Sequence, residues 1–225
     1  MDAALLLLVD GRFPAGGHAY SAGVEAAISA RDVTDESTLE RYLEGRLAVT
    51  GQVDAAFAAN SCQRLRGEDV ASTAEQLDAE YSARVPSPYL RATSRRLGRQ
   101  LLRASTRIWA SPGLDAVVAT TGGPHQPIAL GAIVAAAGGT PADAAGLACH
   151  HLTAAVTSAA IRLLGLDPIE LAVIQERVGR RGDEYQAAAA GWAALPAAEL
   201  PAWGGSLTEI LGEHHGSLDA RMFVA

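Results

Sequence analysis

Along most of the chain, apolar side chains return every three or four residues, the spacing of one helix face; nowhere do they alternate with polar ones as in a half-buried strand. After a short apolar segment at 3–9, the pattern predicts a helix from about Ser21 to Ala30, with Ser21 as N-cap and Val24, Ala27 and Ile28 on one face. Thr34 or Asp35 then caps a helix carrying Leu39, Tyr42, Leu43 and Leu47. Asp54 opens another, with Val53, Phe57 and Cys62, ending before Gly67, and 68–84 is a further amphipathic segment. Ser87, Thr140 and Asp167 each precede a proline, which combines a capping side chain with the fixed φ suited to a first helical turn. These starts predict helices from Pro88 to about Trp109, from Pro141 to Leu164 and from Pro168 to about Gly191. Pro127 opens an apolar helix to Ala137, and Ser206 caps a short last one. The stretch 110–127 reads as a loop, with "LDAVVATT" as brief extended structure. There is no internal repeat. The reading is all-α: one domain over 1–225, a bundle of eight to ten helices with a Gly/Pro-rich N-terminal loop and a flexible tail at 215–225.

Composition agrees. Half of the 225 residues are apolar but only 5% are aromatic, so alanine and leucine carry the core, which favours helices over a β-sandwich. Two cysteines, Cys62 and Cys149, give no disulfide framework and point to a reducing cytoplasm. "ALLLLV" is too short for a signal or a membrane span, and no other window approaches eighteen uninterrupted apolar residues, so no membrane is expected. A net charge of −7 argues against nucleic acid.

The charge is unevenly placed. All basic residues are arginine, and between Glu80 and Asp115 there are seven arginines and no acid, so that stretch is +7 and the remainder −14. Arg91, Arg95, Arg99, Arg103 and Arg107 stand four apart, a spacing at which like charges on a helix repel by roughly 0.2–0.5 kcal/mol per pair. Either acids of this chain fold over the row, or an acidic protein partner does; nucleic acid is the weakest of the three readings.

Candidate chemistry is thin. Gly11 and Gly16 stand as the two glycines of a P-loop do, but Gly17 and His18 follow where Lys and Ser or Thr would bind phosphate and magnesium. Neighbours in Cys149-His150-His151 diverge by about 100° on a helix, and Cys149 falls on an apolar seam. His214 and His215 read as surface histidines, the second able with Asp219 to hold a soft metal weakly. The carboxylates are scattered with no obvious pairing, and no nucleophile, zinc or dinucleotide motif is present, which leaves a metal-dependent hydrolase as a weak alternative.

The ordered motifs resemble the urease accessory protein UreF family. "LLLLVDGRFPAGGHAYSAGVE" is similar to that family's opening through Leu5, Leu6, Leu8, Asp10, Pro14, Gly16, Ser21, Gly23 and Glu25. "SRRLGRQLL" resembles its Ser-Arg-x-x-Gly segment. His125, Pro127, Ile128 and Gly131 resemble its H-x-P helix start, and His215, Arg221 and Phe223 its ending, with Gly216, Met222 and Ala225 as departures. The resemblance implies a non-enzymatic, dimeric, cytoplasmic chaperone of nickel urease maturation. It would bind UreD (also called UreH) and the GTPase UreG on apo-urease, with no stably bound cofactor and nickel handled by the assembly. The motif positions together with the glycine and arginine readings give the residues expected to bind partners: Asp10, Pro14, Gly16, Gly17, Ser21, Glu25, Arg95, Arg99, His215, Arg221 and Phe223. Gly16 and Gly17 are expected to allow backbone angles or contacts that a Cβ forbids. Arg221 and Phe223 are expected as an anchor pair on a loose tail, so that deleting 216–225 weakens UreD binding more than it lowers stability. A helical scaffold unrelated to urease, holding an acidic partner on the arginine row, is the alternative.

Overall fold

The computed structural model describes residues 3–67, 69–121, 123–218 and 222–223, and contains no β-strand among them. Its helices are α1 (Ala3–Val9), α2 (Val24–Ser29), α3 (Glu36–Arg46), α4 (Gln52–Arg64), α5 (Val70–Ala83), α6 (Pro88–Ser105), α7 (Pro112–Thr121), α8 (Gln126–Ala136), α9 (Pro141–Leu164), α10 (Pro168–Ala194) and α11 (Ser206–Ser217). A π-helical turn, Leu47–Gly51, joins α3 to α4, so 36–64 is one long helix and the described total is ten.

Helix starts follow local chemistry. Asp35 caps α3 by accepting the Thr38 N–H, while Thr38 returns a bond to the Asp35 backbone. Thr140 and Asp143 make the same reciprocal box at α9, and Ser87 and Asp167 cap α6 and α10 ahead of their prolines. Each such cap stabilises by about 1 kcal/mol. Gly165, at φ 66, ends α9 and lets the short link 165–167 fold α10 back along it.

Five boundaries differ from the pattern-based reading. α11 begins at Ser206 behind Gly205, with no side-chain cap, so Ser206 is its first residue and not its N-cap. α2 begins at Val24 behind Gly23, whose φ of 83 is left-handed, so Ser21 lies before the helix and is not its N-cap. Asp54 sits inside a continuous helix rather than at a start, because the π turn lets the chain run on past Gly51. α6 stops at Ser105, leaving Arg107 on the following turn. The segment read as loop and extended chain is helix α7, whose Leu114 and Val117 are buried in the apolar core against α5.

The interior forms two apolar clusters on either side of α4. Phe57, Leu77, Leu101, Leu114, Ile128 and Ile133 centre the first, between α4 to α8. Leu39, Leu43, Val156, Leu171 and Tyr185 centre the second, between α2, α3, α9 and α10. α4 serves both because Ala55 and Ala59 face one cluster and Ala56 and Phe57 the other. α9 is the one described helix long and apolar enough to cross a membrane, but two-thirds of its most apolar window is buried inside this bundle.

Candidate functional site

The four motif segments of the sequence meet in pairs. The first junction joins 94–98 to 123–131. Ser94 Oγ accepts the Gln126 N–H at 3.1 Å, and the Arg95 guanidinium donates to the Gly123 carbonyl at 3.2 Å. Arg95 also pairs with both Asp78 oxygens, at 3.0 and 2.5 Å, and Asp78 accepts the backbone N–H of His125 at 3.3 Å. Gly98 is where α6 touches this segment: a Cβ there would stand 2.0 Å from the Pro124 carbonyl oxygen.

His125 is fully buried at this junction, its Nε2 2.9 Å from Ser82 Oγ and its ring 4.7 Å from that of Tyr81. Asp78, Ser82 and His125 do not form a catalytic triad, because the carboxylate takes the backbone N–H and not the imidazole. Burial, then the Arg95 and Arg91 cations, push the imidazole down to about 3. A histidine whose pKa falls on folding binds protons preferentially in the unfolded chain, so stability is full above about 6.5 and declines as pH drops from there towards 3. We expect His125→Gln to flatten unfolding free energy against pH between about 5.5 and 4.5 by about 1.4 kcal/mol per pH unit. Chemical denaturation at several pH values checks this; an unchanged slope overturns it.

The second junction joins the opening segment to the tail. Glu25, nine-tenths buried on α2, accepts from His215 Nε2 at 2.9 Å, from the Met222 N–H at 2.7 Å and from the Phe223 N–H at 3.1 Å. His215 Nδ1 meets Tyr89 Oη at 3.1 Å, which ties in α6. Phe223 packs in the second cluster under the Arg162 guanidinium, 4.4 Å from its ring centroid. Three expectations are corrected here. His215 is fully buried rather than on the surface, because Glu25 and Tyr89 satisfy both ring nitrogens. Phe223 is core and not a loose anchor, so deleting 216–225 strips a packed aromatic and costs stability as well. The carboxylates are not all scattered: Glu25 and Asp78 each organise a junction. Arg221 and Asp219 lie outside the described residues.

Elsewhere the expected site residues are divided. Asp10 binds its near neighbour Arg12, whose side-chain and backbone hydrogen bonds hold the carboxyl down at about 2. Pro14 and Gly17 are exposed, and Ser21 is fully buried. Gly16 has φ 76 and lies against Gln100, as its expected role requires, but nothing stands within 4 Å of a Cβ on Gly17, which departs from the expectation. His151 and His150 meet the backbone at the end of α1, His151 Nε2 lying 2.8 Å from the Leu8 carbonyl oxygen; Cys149 is core. Among the described residues no three His, Cys, Asp or Glu side chains gather to hold a metal. Arg84, Arg91 and Arg95 are consumed internally, Arg84 by Glu80 and the carbonyls of 197, 198, 200 and 201, Arg91 by those of Val85 and Pro86. Arg99, Arg103 and Arg107 are exposed, with no ion pair to any described residue.

The UreF family model matches residues 33–179. The chain belongs to the UreF family. A UreF from Mycobacterium marinum is 37% identical over 223 residues, spanning 99% of this chain and 98% of its own length. One from Mycolicibacterium vanbaalenii is 42% identical over 173 residues, 76% of this chain and 78% of its own. Both are named urease accessory proteins, and membership assigns this chain a role in urease maturation alongside other maturation factors. The family model encloses the 94–131 junction; the Glu25 junction lies outside it but within the full-length match to the M. marinum UreF.

Residue reasoning missed both junctions because each joins segments tens to nearly two hundred residues apart. The available signal was the set of motif residues without surface chemistry of their own: Gly98, His125, Gly131 and Glu25.

Proposed function

We propose that this UreF-family chain is a non-enzymatic chaperone that bridges UreD and the GTPase UreG on apo-urease, as a dimer, so that GTP turnover drives nickel insertion. Nickel is cargo of the assembly, bound by this chain weakly or transiently at most. The observation that carries the reading is the outer side of α11. Leu207 and Ile210, three apart on one side of α11, are 59% and 65% exposed. Large apolar side chains left open together mark a protein-binding surface. This one is fixed from beneath by the Glu25–His215 junction, which makes Glu25, His215 and Phe223 positioning residues.

The test is urease activity at low nickel in a host lacking this gene but holding the other accessory genes. Activity should depend on the chain and fail to return with the Leu207→Asp/Ile210→Asp double variant. Because both side chains are exposed, the variant should keep its thermal midpoint while capturing purified UreD at least tenfold less well, about 1.4 kcal/mol. Urease that matures equally without the chain overturns the proposal, as does full UreD capture by the variant.

A further inference from the structure

Two of the arginines without an internal ion pair, Arg99 and Arg103, border a groove. Arg99 and Arg103 on α6 line one wall, Asp115 on α7 stands on the other, and Leu102, Val118 and Ala119 supply apolar lining, in a volume of about 550 Å³. Arg99 is held in place: its stem lies so close to Gly123 that a Cβ there would come within 2.3 Å. Its head is nevertheless exposed, like that of Arg103 one helical turn on, and Arg107 continues the line past the helix end. Asp115 makes no ion pair with either. Arg95, the preceding member of the row, has its repulsion offset by Asp78; Arg99 and Arg103 have nothing equivalent. Val118 and Ile108 add apolar surface at 44% and 48% exposure.

We infer that this groove docks an acidic amphipathic helix of a partner protein. The helix's apolar stripe lies on Val118 and Ala119, and its carboxylates meet Arg99, Arg103 and Arg107. Charge complementarity selects the partner: two unpaired cations, Arg99 and Arg103, border an apolar lining, with Arg107 beyond them, on a chain that is otherwise acidic. Nucleic acid fits less well, since the groove carries no aromatic side chain for bases to stack on. A strand has no sheet edge to extend among the described residues, whereas a groove between two helices takes a third by ridge-and-groove packing. The inference stands on this surface alone and does not require the urease reading.

The probe is a fluorescein-labelled 14-residue peptide with leucines at helical spacing and glutamates elsewhere, titrated with the full chain and read by anisotropy. A shuffled peptide of the same composition is the control. The patterned peptide should bind at least tenfold more tightly than the shuffled one. Arg99→Glu/Arg103→Glu should abolish that margin with an unchanged circular dichroism spectrum, and Asp115→Asn should strengthen binding. Equal binding of both peptides, or full binding by the double variant, overturns the inference. In cells, a photo-crosslinking residue at Ala119 should label an acidic helical segment of another protein; labelling of RNA, of lipid or of a second copy of this chain overturns it too.

Discussion

Glu25→Ala is expected to lower unfolding free energy by about 3–5 kcal/mol, since each buried donor left without its acceptor costs about 1–3 kcal/mol. The substitution strands three donors at once: His215 Nε2 and the backbone N–H groups of Met222 and Phe223. For a chain of this length that is a fall of roughly 10 °C in thermal midpoint. The tail need not stay to suffer the loss. Once released, its N–H groups reach water, and what is lost instead is the burial of Phe223 and its stacking under Arg162. Both routes predict faster proteolysis within 217–223 together with lower stability. Glu25→Gln keeps an acceptor for one donor and should fall between Ala and wild type. Denaturant titration and limited proteolysis check this; a loss below 1 kcal/mol with the tail still protected sinks it.

That outcome bears on function because α11 carries the exposed apolar residues. His215 is the last-turn residue that fastens α11 to α2, so loosening Glu25 frees the surface from behind. Glu25→Ala should therefore weaken UreD capture without touching a surface residue, in contrast to Leu207→Asp/Ile210→Asp, which does so at full stability.

What the sequence made legible follows the range of the interaction. Caps act over three residues, and Asp35, Ser87, Thr140 and Asp167 start helices where their side chains said they would. α7 escaped because Val117, Val118, Thr120 and Thr121 disfavour helix and Gly113 follows its first residue, while the burial of Leu114 and Val117 that overrides them is tertiary. The Ser111-Pro112 pair was the local clue, the same signature as Ser87-Pro88. α2 was misread for the opposite reason: Ser21 has capping chemistry, yet Gly23 in a left-handed conformation sets the start. For the candidate site, the motif residues were legible as a set. Their roles were not, because the partner of Glu25 lies 190 residues away. Of the arginine row, the internal reading holds for Arg95, which Asp78 of α5 reaches, while no described acid pairs with Arg99 or Arg103.

Gly98→Ala is the second large effect, and it is decided by backbone atoms. A methyl group at this position would sit 2.0 Å from the Pro124 carbonyl oxygen and 3.2 Å from the His125 carbonyl carbon. Neither can rotate away as a side chain could, so α6 and 123–126 must separate. Separation lengthens the Ser94–Gln126 and Arg95–Gly123 bonds and pulls His125 from Asp78, in a region where Leu97, Leu101 and Ile128 are fully packed. Overpacking alone costs about 1–3 kcal/mol, and each buried polar group left unpaired adds about 1–3 more, so we expect at least 3 kcal/mol. The sign is specific to close approach. Gly45 and Gly191 lie inside helices with nothing within 4 Å of a Cβ, and alanine at either should stabilise by about 0.5–1 kcal/mol. Urea unfolding of the three variants therefore separates two meanings of glycine in this chain. If Gly98→Ala proved as stable as Gly45→Ala, the contact between the two motifs would not be the tight one described, and Gly98 would need a role outside packing.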